Sequence, residues 1–386
     1  MLYKTNHYIP KFILNKFSTQ ESPKINVIDI IHMDINEVDT KKAFTKENFF
    51  DLNHEASEDI KRLEKLFNKK VENKMSQILS KIEDSEAHFS ITREEMNIIK
   101  KYILIQTYRS PMNASFYNEA YKGETLSKYS KESNESEKDF WKREMLYVLE
   151  NDWETIIKQK ELIGVKIHSE DIYKQYLTFF TTDQEFILTD LTSTTERIRF
   201  EIEDKFKNEY LNILTNIYQD LEFNDANEIA LNEVNRNNQY IDNYLFIILG
   251  PKLAVASVNP LWIHKYKYEI TKLNWIANKM ESPILDNPKN FKLPKVKYLI
   301  DPKHKQQGDV FTYEKIKLDN IETIHTMILN LNEAKQFIGY KNETYIKDYL
   351  KIYNELSYSH MQNIKNNYMG FIQLINDFHN KKQEEK

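Results

Sequence analysis

Cysteine is absent from this sequence of 386 residues. Its absence excludes disulfide bonds, cysteine-bound zinc, iron–sulfur clusters and thiol nucleophiles. Glycine is nearly as scarce, and no two of the six glycines lie close enough for a GxGxxG or Walker-type phosphate loop. HExxH, GxSxG and EF-hand patterns are also missing, so the familiar zinc-protease, serine-hydrolase and calcium sites have no support. We therefore expect no nucleotide cofactor.

Long apolar runs are lacking too, and neither charge dominates. The longest apolar stretch, at 244–249, is far too short to span a bilayer, and the N-terminus has no apolar signal-like region. A net charge of −5 gives no general attraction to nucleic acid or anionic lipid. Abundant lysine, asparagine and isoleucine are typical of an AT-rich, most simply bacterial, genome. The sequence predicts a cytoplasmic protein without a membrane partner and leaves its oligomeric state open.

Apolar and aromatic residues are plentiful, with 40% hydrophobic residues, 24 Tyr and 21 Phe, enough for a sizeable core. Helical spacing predicts helices over 59–82, 92–109, 140–158, 206–221, 320–338 and about 344–378. Thr92 and Glu95 form a capping box at the start of the second helix. Strands are predicted over 24–31, 185–190, 244–249 and 253–258, with a strand or loop over 42–52. The predicted class is α+β, mainly helical, with a minor mixed or antiparallel sheet.

Four polar side chains fall on the apolar faces of the first two helices when residues are placed about 100° apart. Glu64 lies about 40° from Ile60, inside the apolar stripe, and Glu72 lies at the border of that stripe. On the second helix, Gln106 falls near the centre of the apolar face, with Arg109 one turn later at its edge. Two neighbouring helices are thus predicted to direct acids, an amide and a guanidinium inward.

Two interpretations of these inward side chains are open. Burying an unpaired carboxylate costs several kcal/mol, so Glu64 is expected to be protonated, paired or bound to metal. In the structural interpretation, Glu64 forms an ion pair with Arg109, and Gln106 bonds to the backbone. In the functional interpretation, the charges serve chemistry, because buried charges are costly when they do nothing. Helical spacing alone does not separate the two.

His7, Asp190 and a lysine-rich stretch are further candidates. His7 lies in an extended segment where a histidine commonly bonds to backbone, and Asp190 ends a predicted strand where aspartate commonly starts a turn. Both residue types also act as general acids or bases. Six lysines interleaved with aromatic residues over 289–305 form a basic patch. Such a patch can hold a phosphate backbone, although a solvated loop is the commoner outcome.

Three motifs stand in order along the chain: HYIPKFILNKF at 7–17, QTYRSP at 106–111 and FILTD at 186–190. They resemble the HxxPxxxLxxF, Q-x-x-R-[ST]-P and F-[IL]-x-[ST]-D signatures of the bacterial family called domain of unknown function 4238. Two further segments, LGPKLAVASVNP at 249–260 and LNEAKQFIGY at 331–340, are similar to its later regions. The helix with Glu64 and Glu72 is similar to its repeated Ile/Leu-Glu pattern. Leu191-Thr192 departs from the usual Asn-Pro, which puts a shared role of the following loop in question.

The resemblance implies a domain organisation and a biological setting. Residues 1–340 are expected to form one family-like domain with a helical insertion at about 200–242, followed by a C-terminal helix and charged tail over 341–386. The family's activity is unassigned, but some relatives are encoded among anti-phage defence genes, which implies a defence role such as abortive infection. The motif residues overlap the inward polar residues, and together they define the candidate site: His7, Glu64, Gln106, Arg109 and Asp190.

The leading hypothesis is an anti-phage effector that acts as a metal-dependent nuclease, on RNA rather than DNA. Glu64 and Asp190 would bind one Mg²⁺ or Mn²⁺ ion through oxygen ligands, with Glu72 as a further ligand. His7 would act as general acid or base, and Arg109 would stabilise charge that develops on the phosphate.

In the same hypothesis, Gln106 orients Arg109 or the substrate. A rival hypothesis is a non-catalytic sensor or interaction module that binds a phage protein, with the inward polar residues fixing the fold. A third is a metal-free ribonuclease that uses His7 and Arg109. Substitution separates the first two, because loss of activity without loss of fold is expected only for an enzyme.

Overall fold

Helices pack on both faces of a central sheet in this protein. The computed structural model describes residues 5–18, 23–51, 62–111, 137–158, 172, 175–191, 194–199, 240–258, 310–359 and 368–384. The helix predicted at 206–221 and the basic patch at 289–305 lie outside the described residues.

Strands and helices are interspersed along the chain. The strands are β1 (Thr5–His7), β2 (Lys24–Asp29), β3 (Asp34–Asp39), β4 (Thr45–Glu47), β5 (His88–Thr92), β6 (Tyr176–Thr182), β7 (Leu188–Thr189), β8 (Thr194–Arg199), β9 (Tyr240–Gly250), β10 (Leu253–Val258), β11 (Val310–Leu318) and β12 (Phe337–Tyr340). The helices are α1 (Lys11–Phe17), α2 (Arg62–Leu66), a π-helix (Phe67–Glu72), α3 (Asn73–Asp84), α4 (Arg93–Arg109), α5 (Glu137–Glu150), α6 (Trp153–Lys158), α7 (Asn320–Glu333), α8 (Glu343–Ser359) and α9 (Phe371–Glu384).

The central sheet has six strands in the order β5-β11-β6-β10-β9-β8 within the described ranges. Its strands pair in antiparallel fashion except β11 and β6, which run parallel with Lys315 opposite Phe179. A second sheet has the order β3-β2-β12-β7, and β1 pairs with β4. The α+β class predicted from the sequence is confirmed, and the central sheet is mixed.

Several local predictions are confirmed because each depends on neighbouring residues. The 244–249 and 253–258 strands form a hairpin, with Ile248 opposite Ala254. The capping box at α4 is present, since Thr92 Oγ1 accepts from the Glu95 amide at 3.2 Å and Glu95 accepts from the Thr92 amide at 2.7 Å. These contacts span a few residues, which is why the sequence pattern predicts them.

The helix predicted over 320–338 is wrong at its C-terminal end. Helix α7 ends at Glu333, Ala334 has extended backbone, and β12 lies between β2 and β7. Gly339 permits this position, because a Cβ there would lie 3.0 Å from both Ile25 Cδ1 and Phe44 Cε2. The segment of β12 has helical spacing, but its pairing with β2 on one edge and β7 on the other makes it a strand.

Two other predicted helices are interrupted. The 140–158 segment forms α5 and α6, because Asp152 Oδ1 accepts from the Thr155 amide at 2.9 Å and starts a new helix. At the C-terminus, α8 covers Glu343–Ser359 and α9 begins at Phe371, after a turn in which the Gly370 amide donates to Tyr368 O at 3.1 Å. Helical periodicity reveals neither the Asp152 hydrogen bond nor this turn.

Successive residues of the central strands fill two separate hydrophobic cores. Phe179 and Val255 belong to the core beneath α1, the α2–α3 helix, α4 and α5, whereas Phe180 and Ala254 belong to the core beneath α7, α8 and α9. This alternation follows from the two-residue repeat of a strand. None of the helices within the described ranges combines the length and apolar character that a membrane crossing requires.

Candidate functional site

The predicted acidic helix contains a π-helical segment that sets the geometry of the site. In an α-helix, Phe67 and Glu72, which are five residues apart, would lie about 140° apart around the axis. In a π-helix, residues five apart are joined by a backbone hydrogen bond and lie on nearly the same side. Both side chains contact Arg109: Glu72 forms an ion pair with it, and its guanidinium carbon lies 4.3 Å from the Phe67 ring centroid.

Arg109 lies at the centre of these contacts, and its side chain is 1% exposed. Its Nη1 donates to Glu72 Oε1, and its Nη2 donates to the backbone carbonyl of His7. The centroid of the Phe50 ring lies 5.5 Å from the guanidinium carbon. This distance allows a favourable cation–π interaction. Arg109 thus joins β1, the π-helix and α4 through charge-assisted hydrogen bonds.

His7 contributes its side chain to a different bond. Its Nε2 lies 2.9 Å from the carbonyl oxygen of Thr40, and since a carbonyl only accepts, Nε2 carries the proton and Nδ1 the lone pair. Burial lowers the pKa of His7, and the charge of Arg109 adds to this, while the Thr40 bond and the charge of Glu72 oppose it. His7 is therefore expected to be neutral at physiological pH.

Acidification is expected to destabilise the protein through His7. Because its folded-state pKa is below the ordinary value of 6.5, the unfolded chain binds more protons as the pH falls below that value. The stability that neutral His7 supports is therefore complete above about pH 6.5 and is lost progressively below it. Urea unfolding at several pH values should show a weaker acid-induced loss for His7→Gln than for the wild type. Equal pH slopes of the free energy of unfolding for His7→Gln and wild type would contradict the assignment.

Gln106 lies one turn before Arg109 and lines a small pocket with Pro10, Thr189 and Asn330. Three of the sequence motifs thus meet here, those at 7–17, 106–111 and 186–190. Thr189 Oγ1 donates to Asn330 Oδ1 at 2.8 Å, and Asn330 Nδ2 donates to Ile187 O at 3.1 Å. The cavity volume is about 20 Å³, enough for about one water molecule.

Asp190 lies at the end of β7 and binds backbone. Its Oδ1 accepts from the Lys335 amide at 2.8 Å and its Oδ2 from the Gln336 amide at 3.0 Å, while its own amide donates to Phe337 O at 3.1 Å. Burial raises the pKa of Asp190, although these amide bonds act in the opposite direction. The carboxylate ties β7 to the turn that precedes β12.

The predicted acids are placed in different surroundings. Glu64 lies on α2 and is half-buried, and Glu72 is the acidic partner of Arg109 in the structure. The described part of the chain contains no group of three or more His, Asp or Glu side chains arranged to hold a metal ion. The Mg²⁺ or Mn²⁺ site on Glu64, Glu72 and Asp190 stays a prediction.

Two buried charges on α5 were not predicted. Lys142 and Glu144 are fully buried, and Lys142 Nζ donates to the Asp51 carbonyl. The neighbouring Trp141 donates through Nε1 to Tyr108 O at 3.1 Å, which holds α5 against the end of α4. The sequence carries a signal for Glu144, since it lies three residues after Trp141 and four before Val148 on one apolar face.

The fold and site define an α+β protein whose N-terminal strand is fixed to a helical layer by a buried arginine. The chain belongs to the family described as "Protein of unknown function (DUF4238)", whose model matches residues 5–219, more than half of the chain. The resemblance noted from the sequence is thereby confirmed. The similarity at 249–260 and 331–340 lies beyond the matched residues and stays a prediction. No curated protein and no solved structure matches the chain.

Proposed function

We propose that this protein is a non-catalytic recognition module of anti-phage defence, in which the site around Arg109 fixes the fold. The observation that carries the proposal is that Arg109, the residue expected to face a phosphate in a nuclease, is 1% exposed and bound to Glu72 and the His7 carbonyl. The defence setting comes from the family resemblance. The partner is a protein, such as a phage protein.

The surroundings of the other candidates support the same proposal. An arginine that stabilises a transferring or cleaved phosphate must direct N–H groups at the substrate. Here two of the donors of Arg109 point at protein oxygens, and aromatic rings lie beside its guanidinium. The oxygens of Asp190 likewise accept backbone amides. Interactions of this kind stabilise a fold without any substrate.

A nuclease is the second candidate, and the tautomer of His7 favours its metal-free form. With Nε2 held by the Thr40 carbonyl, Nδ1 of a neutral imidazole is an acceptor, as a general base requires. The metal-dependent form requires Glu64, Glu72 or Asp190 to exchange present contacts for metal ligation. The geometry of the site therefore supports the metal-dependent nuclease less well than the metal-free one.

Purified protein is expected to leave total bacterial RNA, tRNA and plasmid DNA intact with Mg²⁺, with Mn²⁺ and with EDTA, while its gene protects cells from phage. The physical reason is that the phosphate-binding groups of a nuclease are engaged by the protein itself. Gel electrophoresis of the nucleic acids, beside plaque counts, is the measurement. His7→Gln is the matched variant for both assays.

Cleavage that EDTA abolishes and that Asp190→Asn removes would favour the metal-dependent nuclease. Cleavage that survives EDTA but is lost in His7→Gln would favour the metal-free ribonuclease. Either result, reproduced with proteins of unchanged melting temperature, would overturn the recognition module.

A further inference from the structure

Three exposed apolar residues lie near one another at one end of the second sheet. Within the described ranges, the exposed large hydrophobic residues are Ile31, Met33, Val310, Ile321 and Met369. Ile31 and Met33 lie in the turn between β2 and β3, and Met33 Cε lies 3.5 Å from the position that a Cβ of Gly370 would take, next to Met369. We call Ile31, Met33 and Met369, which are 64%, 47% and 57% exposed, the hairpin patch. Their concentration at one place distinguishes them from scattered surface residues.

Met33 has a backbone conformation that its side chain disfavours. Its φ of 52° lies in the left-handed region, where an ordinary L-residue costs about 1 kcal/mol and Asn or Gly is preferred. The exposed Met33 side chain gains little from core burial in return. The terminal methyl of Met33 lies near Gly370, and about half of the side chain, 47%, stays open to a partner.

Two carboxylates flank the hairpin patch. Asp29 and Asp34 are opposite each other in the register of β2 and β3, at the two ends of the turn. Burial alone would raise the pKa of Asp29, but hydrogen bonds from His32 and from the Ile31 amide hold it below its usual value. The oxygens of Asp34 likewise accept hydrogen bonds within the hairpin, from the Ile35 amide and the Asn36 side chain, so the two carboxylates contribute to the patch mainly through their charge.

We propose that the hairpin patch binds an amphipathic segment of a partner protein that presents apolar side chains beside lysine or arginine. Methionine side chains adapt to varied apolar surfaces, which suits such a segment. The carboxylates of Asp29 and Asp34 complement its basic residues and disfavour anionic membranes. This inference rests on the proposed recognition function and gives that function its docking surface.

The substitution Met33→Asn separates binding from stability. Asparagine tolerates the left-handed backbone, so the melting temperature should stay equal or rise, whereas binding should weaken about tenfold through loss of an anchor side chain. The probe is a fluorescein-labelled synthetic helix of leucine and lysine, with fluorescence anisotropy as the readout. Ile321→Asn is the matched control, because Ile321 is 54% exposed but lies on α7. It should bind the peptide like the wild type.

Equal binding by Met33→Asn and wild type, or an equal loss in Ile321→Asn, would overturn the docking surface. The same holds if a leucine and glutamate peptide binds as tightly, or if vesicles with anionic lipid bind at the patch instead. Sedimentation that shows a dimer dissociated by Met33→Asn would assign the patch to a second copy. None of these outcomes bears on RNA cleavage, so failure of the docking surface and failure of the recognition function are distinguishable.

Discussion

Arg109→Met is expected to lower the free energy of unfolding by about 3 kcal/mol. The substitution leaves Glu72, whose side chain is only 17% exposed, without its cation, and leaves the His7 carbonyl without its donor. Breaking a buried ion pair by removing one partner is strongly destabilising, and the remaining exposure of Glu72 sets the expected loss at the lower end of the usual range. Urea unfolding monitored by circular dichroism measures it.

A double variant, Glu72→Met with Arg109→Met, should recover part of this loss. Apolar side chains of similar volume often replace a buried ion pair without net cost, and Phe50 and Phe67 give them apolar neighbours. The His7 carbonyl stays unpaired, so about 1 kcal/mol of destabilisation should remain. Lys74→Met is the control: its pair with Glu94 is exposed, and its loss should change stability by less than about 1 kcal/mol.

The double variant also tests the role of Arg109 in the proposed defence function. If Arg109 fixes the fold, a folded double variant should protect cells from phage nearly as well as the wild type. A double variant with near-wild-type stability and no protection would mean that Arg109 acts on something outside the chain. That outcome contradicts the recognition module and supports the nuclease.

The partner of Arg109 shows where sequence reasoning succeeds and where it fails. The helical wheel identifies Arg109, Glu64 and Glu72 as inward or nearly inward, and the burial of Arg109 agrees with it. The wheel assumes about 100° per residue throughout, so it puts Glu64 inside the stripe and Glu72 at its border. The π-helix that begins at Phe67 changes the angle between successive residues, so the wheel misplaces the residues that follow. No pattern in the single sequence shows where this change occurs.

Predictions fail most where two distant segments decide the outcome. The sequence of β12 continues the apolar spacing of α7, yet its two neighbours in the sheet, β2 and β7, come from about 310 and 150 residues earlier. The capping box of α4 and the β9–β10 hairpin depend on adjacent residues and are predicted correctly. The sequence identifies Asp190 as a strand-end carboxylate, but its partners Lys335 and Gln336 lie 145 and 146 residues later in the chain.

Glu144 is a different kind of failure, because its signal was present. The reasoning that selected Glu64, a carboxylate within an apolar helical face, applies equally to Glu144 between Trp141 and Val148. The structure shows Glu144 fully buried, more so than Glu64. The same criterion predicts that Glu144 lies on the buried face of α5, the helix that Trp141 holds against the end of α4.

Asp190→Ala is expected to lower the free energy of unfolding by about 3 kcal/mol, because it leaves the Lys335 and Gln336 amides without their charged acceptor. The turn before β12 then loses its tie to β7, and the second sheet is destabilised. Asp190→Asn keeps one acceptor oxygen, so about half of the loss is expected. Thermal and urea unfolding of both variants measure this order.

A metal-binding role for Asp190 gives the opposite pattern. If Asp190 serves chiefly as a ligand, Ala and Asn should abolish metal-dependent activity equally and leave stability nearly unchanged, since oxygen donors to Mg²⁺ are needed only for the reaction. Asp39→Ala is the control, because Asp39 also accepts a backbone amide, from Lys41 at 2.8 Å, but at an exposed turn. If Asp190→Ala lowers the free energy of unfolding no more than Asp39→Ala does, the structural role of Asp190 is wrong. That result would favour Asp190 as a metal ligand of a nuclease.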